Sequence, residues 1–239
     1  EDSLQKPLPD FSQFGEVVFE PLTRIRRVSA KNLEYSWRTI PQVTHFDEAD
    51  ITDLETFRAG LNDALAPGDI KISPLAFVIK AVIQALKKYP RFNASIDPEY
   101  EHWVLKRFFN IGIAVETPNG LVVPNVKSAD LQSVATLARS AAELAELARN
   151  KQLLPAQMQG TTFTISSLGG IGGTGFTPIV NSPEVAILGV ARTQLLPRYV
   201  AGALEPRKIL PLALSYDHRA IDGAEAARFM VELSRQLSD

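Results

Sequence analysis

Apolar positions recur along this chain with two different periods. Ile25, Val28, Leu33 and Trp37 form an imperfect helical stripe behind Thr23, a residue type that caps helix N-termini. They predict a helix over about 24–36, stopped by Pro41. The segment QVTHFDEADI reads as a strand, and Leu54, Phe57, Leu61 and Leu65 then return to helical spacing until Pro67-Gly68. Ser73-Pro74 opens a third helix running to about Tyr89; it is apolar on most sides, so it should be deeply buried. Strand-like runs follow at HWVLKRF, NIGIAVE and LVVPNV, the last two joined by a turn at Thr117-Pro118-Asn119-Gly120. Asp130 is expected to open a long Ala/Leu helix to about Asn150. Three more strands are expected near TTFTISS, VAILGVA and ILPLALSY. A last helix over about 222–238 carries Ala226, Phe229, Met230, Leu233 and Leu237 on one face. Interleaved helices and strands without internal repeats predict an α/β fold, a two-layer sandwich with a mixed sheet.

Composition narrows the function classes. The 239 residues suit one large domain or two small ones, and 45% apolar with 22% charged residues is ordinary for a globular protein. With 25 basic and 27 acidic side chains the net charge is −2, so no overall field draws nucleic acid or an anionic membrane. The strongest apolar run, PLAFVIKAVIQAL, is broken by Lys80 and Gln84 and is too short to span a bilayer. No cysteine is present, which removes disulfides, thiolate metal sites and a cysteine nucleophile, and fits an intracellular protein. The acidic, polar start EDSLQKPLPDFSQFGE predicts no signal peptide, and residues 1–14 with their two prolines read as a linker remnant or N-terminal arm.

Three segments could carry chemistry. In LGGIGGTGF, Gly170, Gly172 and Gly175 satisfy G-x-G-x-x-G. A dinucleotide site would also need a helix at the last glycine and an acid about 20 residues on. Pro178 and Ser182-Pro183 follow instead, so a close-approach glycine turn is the better reading. In YDHRAIDG, His218 sits just past a strand, where a scaffold commonly displays reactive groups, and histidine as a residue type can take or give a proton near neutral pH. Asp222, four residues on, could orient it, or could simply cap the last helix with Glu225 three residues later. Half of a metal site is a further reading of the pair, but only His45 and His102 remain as histidine partners. Ser166-Ser167 ends the strand TTFTISS and could donate a hydrogen bond into a cleft, act as a nucleophile with His218 and Asp222, or merely end a strand. The string I-S-S-L-G is not the G-x-S-x-G elbow of hydrolases.

Taken together, four segments change these odds: IPQVTHFDEADIT, GLVVPNVKSAD, FTISSLGGIGGTGFTPIVNSPEVAILGV and LPLALSYDHRAIDGAEAARF. In this order they resemble the catalytic domain of the dihydrolipoamide acyltransferases of 2-oxo acid dehydrogenase complexes. The glycine run and PIVNSPEVAILG are most similar to the acetyl-transferring, pyruvate-complex branch; succinyl- and branched-chain-specific members are the alternatives. The resemblance implies a catalytic domain over 15–239 with a chloramphenicol acetyltransferase-like fold, and a homotrimer with active sites between subunits. It implies acyl transfer between a lipoyl thiol and coenzyme A, without metal. It assigns His218 as base, Ser166 as the hydroxyl holding the oxyanion, Asp222 as the acid of the histidine motif, and Arg24 as an arginine pairing near that acid. The implied partners are lipoyl domains, on a segment absent from this chain, and the dehydrogenase components. The polar end LSRQLSD argues against strong assembly into a cubic core. The implied location is the bacterial cytoplasm rather than the mitochondrial matrix. A serine hydrolase and a non-catalytic assembly core are the readings from other classes.

Overall fold

The computed structural model describes residues 7–238. The elements, in order, are α1 (Arg24–Thr39), β1 (Gln42–Asp50), α2 (Thr52–Asp63), α3 (Pro74–Lys88), β2 (Ala94–Ile96), β3 (Trp103–Leu105), β4 (Ile111–Ile113), β5 (Val115–Thr117), β6 (Gly120–Val122), β7 (Asn125–Val126), α4 (Val134–Arg149), β8 (Phe163–Ser167), β9 (Ala186–Val190), β10 (Gln194–Val200), β11 (Ala203–Asp217) and α5 (Gly223–Ser238). The main sheet has the order β1-β11-β9-β8-β4-β7, with β10 paired to the first half of β11. It is mixed: β8 runs parallel to β4 and β9, whereas β11 is antiparallel to β1, β9 and β10. β2–β3 and β5–β6 form separate two-stranded ribbons.

Pleating sorts the sheet residues between two faces. Phe163, Ile165, Leu188, Val190, Leu212, Leu214 and Tyr216 face the helices and join the main core. α3 lies at the centre of that layer between α4 and α5, with Ile79, Val82, Ile83 and Leu86 almost wholly enclosed, as its all-round apolar sequence requires. Phe229 of α5 stacks on Phe92, with ring centroids 4.2 Å apart. The opposite face carries Thr164, Ser166, Ser215 and Asp217 and is partly covered by loops. A side chain at Gly189 would put its Cβ 3.0 Å from Phe176 Cζ and 3.2 Å from Pro178 Cδ, so the glycine-rich segment lies directly on β9.

Local chemistry explains the helix ends. Thr23 Oγ1 accepts from Arg26 N, capping α1, and also donates to Asn119 O, tying the helix start to the β5–β6 turn. The long helix begins later than expected: a 3₁₀ turn occupies Ala129–Leu131, and Ser133 caps α4 by accepting from Thr136 N. The arm expected over 1–14 lies in part outside the described residues; residues 7–22 contain one 3₁₀ turn, Phe11–Gln13, and expose Phe14 and Phe19. Among the described residues no helix is long and apolar enough to cross a membrane.

Candidate active site

Strand direction decides where the candidate residues stand. Ser166 is level with Gly189 on β9, and Gly189 is level with Ala213 on β11. β8 and β9 run one way and β11 the other, so Ser166, next to last in β8, lies toward one end of the strands and His218 follows β11 at the opposite end. Five residues separate Ala213 from His218, about 17 Å at 3.3 Å per residue. One chain therefore does not bring Ser166 and His218 together. An intrachain Ser166–His218–Asp222 triad, as the hydrolase reading would need, does not exist.

Ser166 is half-buried in a cleft of about 660 Å³ between α1, the β5–β6 ribbon and the start of the glycine-rich segment. Arg26, Ser29, Glu116, Thr117, Leu168 and Ile171 are among its walls. Ser167 reaches this cleft too, but it also lines a cavity with Ser73, Val78 and Val190 on the helical side, which Ser166 does not. The two serines thus follow the alternation of a strand.

His218 is exposed on the turn between β11 and α5, with its backbone N–H donated to Pro41 O at 3.1 Å. Its ring lies 5.9 Å from the Tyr216 ring. Asp222 does not touch His218 by a hydrogen bond; its Oδ1 accepts from Glu225 N at 2.8 Å and caps α5. Burial pushes the Tyr216 hydroxyl's pKa up, with the nearby Asp222 charge adding to it. Arg24 is exposed at the first turn of α1 and forms no ion pair with Asp222 within the chain. The other end of that helix, at Thr39, lines a cleft with Asp217 and Arg219. Fifteen residues of helix place Arg24 about 22 Å from there. Arg24 and Asp222 can therefore meet only across an interface.

Three residues beside His218 were not singled out by the sequence. Asp217 is buried and accepts a two-pronged contact from Arg219, and Glu184 is fully enclosed nearby, lining the same cleft. Burial pushes the Glu184 carboxyl up to about 7, against pulls from Thr164, Asn181 and Lys106. Among the described residues no group of three or more His, Asp or Glu side chains is placed to hold a metal ion.

The fold is chloramphenicol acetyltransferase-like: a chloramphenicol acetyltransferase superposes over 87% of this chain and 94% of its own, with a TM-score of 0.57 at 16% identity, a likeness of fold alone. The family profile described as 2-oxoacid dehydrogenases acyltransferase (catalytic domain) matches residues 15–239, and the chain belongs to that family. A relative from Cupriavidus necator, the dihydrolipoyllysine-residue acetyltransferase component of its pyruvate dehydrogenase complex, is 53% identical over 98% of this chain and 42% of its own length. The chain thus spans less than half of that relative. The dihydrolipoamide acetyltransferase of Azotobacter vinelandii is similar with a TM-score of 0.95 and 47% identity, covering 98% of this chain and 97% of that one. A chain from the cubic core of a pyruvate dehydrogenase multienzyme complex gives 0.95 and 48% over the same shares. In the Azotobacter protein a serine, a histidine and an asparagine have been investigated for roles in catalysis. The first two stand 52 positions apart and the last two four apart, the intervals that separate Ser166, His218 and Asp222 here.

Proposed function

We propose that this chain transfers an acetyl group between the thiol of dihydrolipoamide and coenzyme A, as the catalytic core of a bacterial pyruvate dehydrogenase complex. Its sites would be shared between subunits of a homotrimer, His218 coming from one chain and Ser166 from the next. The observation that carries the reading is the coincidence of the two intervals with the separation of Ser166 from His218 at opposite ends of the sheet's strands. The 53% identity to an acetyltransferase supports the acetyl group over other acyl groups. Lipoyl domains and dehydrogenase components would be its partners, and the cytoplasm its place of work.

The chemistry follows from the two side chains. A thiol with a pKa near 8.5 is only a few per cent thiolate at pH 7. As its sulfur attacks the acetyl thioester carbonyl, the S–H proton passes to the neutral His218 imidazole, a contribution of about 10²–10⁴-fold. The carbonyl π electrons move onto oxygen, and the Ser166 hydroxyl donates to that oxyanion, worth about 10²–10³-fold. Collapse of the tetrahedral intermediate re-forms the carbonyl and breaks the other C–S bond. The departing sulfur takes the proton back from His218. No bond to the protein forms, and a chain without cysteine loses nothing by it. Across the same interface Arg24 would face Asp222.

The test is subunit mixing. His218→Ala and Ser166→Ala chains, each inactive, are dissociated and reassembled together. Random mixing should return about a quarter of the sites, each pairing an intact His218 with an intact Ser166. Mixed trimers that stay at the level of either parent would sink the shared site, and an acetyl-serine at Ser166 in quenched wild type would replace direct transfer.

A further inference from the structure

The His218 ring is exposed and makes no hydrogen bond to another described residue. Its direction therefore depends on the backbone that carries it. That backbone is tied from several sides. Asp217 N donates to Val185 O at 2.8 Å and His218 N to Pro41 O at 3.1 Å, while Ala220 N and Ile221 N both donate to Asp217 O. The flanking side chains are tied to each other around the histidine. Arg219 donates through Nε at 2.9 Å to Asp217 Oδ1 and through Nη2 at 2.6 Å to Oδ2, and its backbone N–H adds a third bond at 3.0 Å to Oδ1. The third arm of the guanidinium, Nη1, donates to Tyr100 Oη at 3.0 Å, and the group lies 5.5 Å from the centre of that ring.

Tyr100 sits in the turn of the β2–β3 ribbon, in the left-handed region at φ 62°. That turn is held by Asp97, which accepts from Glu101 N and from His102 Nδ1. The ribbon is anchored in turn to the loop before β9, because Ser95 Oγ donates to Pro183 O. The contacts close a circuit: Pro183 to Ser95, the ribbon to Tyr100, Tyr100 to Arg219, Arg219 to Asp217, and Asp217 back to Val185. His218 is the one residue of the D-H-R triplet left pointing out of it.

We propose that Arg219 is a positioning residue for His218: its fork on Asp217, braced by Tyr100, fixes the turn that aims the imidazole across the subunit interface. The proposal rests on the reading of His218 as base. Charge-assisted bidentate bonds combine strength with fixed geometry, which a lysine cannot reproduce with a point charge. Misplacing a catalytic group by about 1 Å costs on the order of 10²-fold.

The test uses the intact assembly of Arg219→Gln, Arg219→Lys and Tyr100→Phe chains, with His218→Ala alongside. Acetyl exchange between acetyl-CoA and dihydrolipoamide should lose about 10–100-fold in kcat in Arg219→Gln with KM for both substrates nearly unchanged, because binding is retained while alignment is lost. Arg219→Lys keeps the charge opposite buried Asp217 and should regain stability without regaining kcat. A ring signature separates aiming from mere folding. The chain has three histidines, so 2-fluorohistidine labelling gives three fluorine resonances. That of His218 should broaden or split in Arg219→Gln and Tyr100→Phe, while those of His45 and His102 stay put. A single sharp His218 resonance together with wild-type kcat in Arg219→Lys and Tyr100→Phe would overturn the proposal, even if Arg219→Gln does not fold. Wild-type activity in His218→Ala would instead overturn the role of His218, leaving the fluorine spectra to decide whether Arg219 holds that turn.

Discussion

Glu184 offers a sharp test of how this interior handles charge. The residue is 3% exposed; Asn181 Nδ2 donates to its Oε1 at 3.0 Å, but its Oε2 has no hydrogen-bond partner, and nor does the buried Thr164 Oγ1. Lys106 contributes a favourable charge, yet its ammonium is committed to Ala94 O at 3.0 Å and Ser95 Oγ at 2.9 Å. Burial dominates and raises the carboxyl from 4.5 to about 7. Between pH 4.5 and about 7 the folded chain keeps a proton that the unfolded chain has released. Stability therefore falls as pH rises through that window, and above pH 7 the whole penalty is present. A rise of this size at 1.36 kcal/mol per unit amounts to about 3 kcal/mol per chain. Glu184→Gln cannot ionise, keeps an oxygen for Asn181 and offers an N–H toward Thr164. Urea unfolding at a fixed protomer concentration, repeated from pH 5 to 8.5, should show the two proteins nearly equal at pH 5. The glutamine variant should pull ahead by about 2–3 kcal/mol at pH 8. A gap that stays constant across the range would refute the claim that Glu184 is held neutral by burial.

Other outcomes follow from the same geometry. Ser166→Ala should lose about 10²–10³-fold in kcat with KM nearly unchanged, because its bond strengthens only as charge develops on oxygen; steady-state kinetics checks this. Asp222→Ala should cost about 1 kcal/mol in thermal unfolding through loss of the α5 cap, whereas Asp222→Asn, which retains a capping oxygen, should unfold like wild type. Gly189→Ala would press a methyl against Phe176 and Pro178, which would have to give by a few tenths of an ångström, and should destabilise the chain by about 1–3 kcal/mol in urea titrations.

The sequence exposed most of the helices because their apolar stripes and caps are local. Ser73-Pro74 and Asp222 marked true helix starts, and Thr23 acts as the cap its position suggested. α4 starts behind Ser133 rather than Asp130, although both are capping types, because the chain uses the first only in a 3₁₀ turn. The second half of β11 is the strand that ILPLALSY predicts, whereas β10 and the first half of β11, each with a proline, are not among the predicted strands. Pro197 and Pro206 in fact face each other in the register, around a turn at Ala201–Gly202 where both residues have positive φ. His218 and Ser166 were legible as polar residues at strand ends. Their separation was not, since it depends on β8 and β11 running in opposite directions. Glu184 reads in sequence as one more acid in a proline-containing loop, and only packing shows that it is enclosed.

That opposition of strands has a consequence for the unit of activity. β8, β9 and β11 are contiguous in one hydrogen-bonded sheet, so no hinge within a chain can carry Ser166 to His218 without unzipping the core. If both residues serve one carbonyl, a folded but separated chain has two half-sites and no whole one. Activity should then track association rather than folding. Dilution or mild urea that releases folded monomers, read by mass photometry beside circular dichroism, should abolish acetyl exchange while secondary structure persists, and reconcentration should restore it. A nucleophilic Ser166 acting without His218 would instead keep accepting acetyl groups in the monomer. Full exchange activity in a species of 26.2 kDa would refute the shared site, whatever the single substitutions had shown.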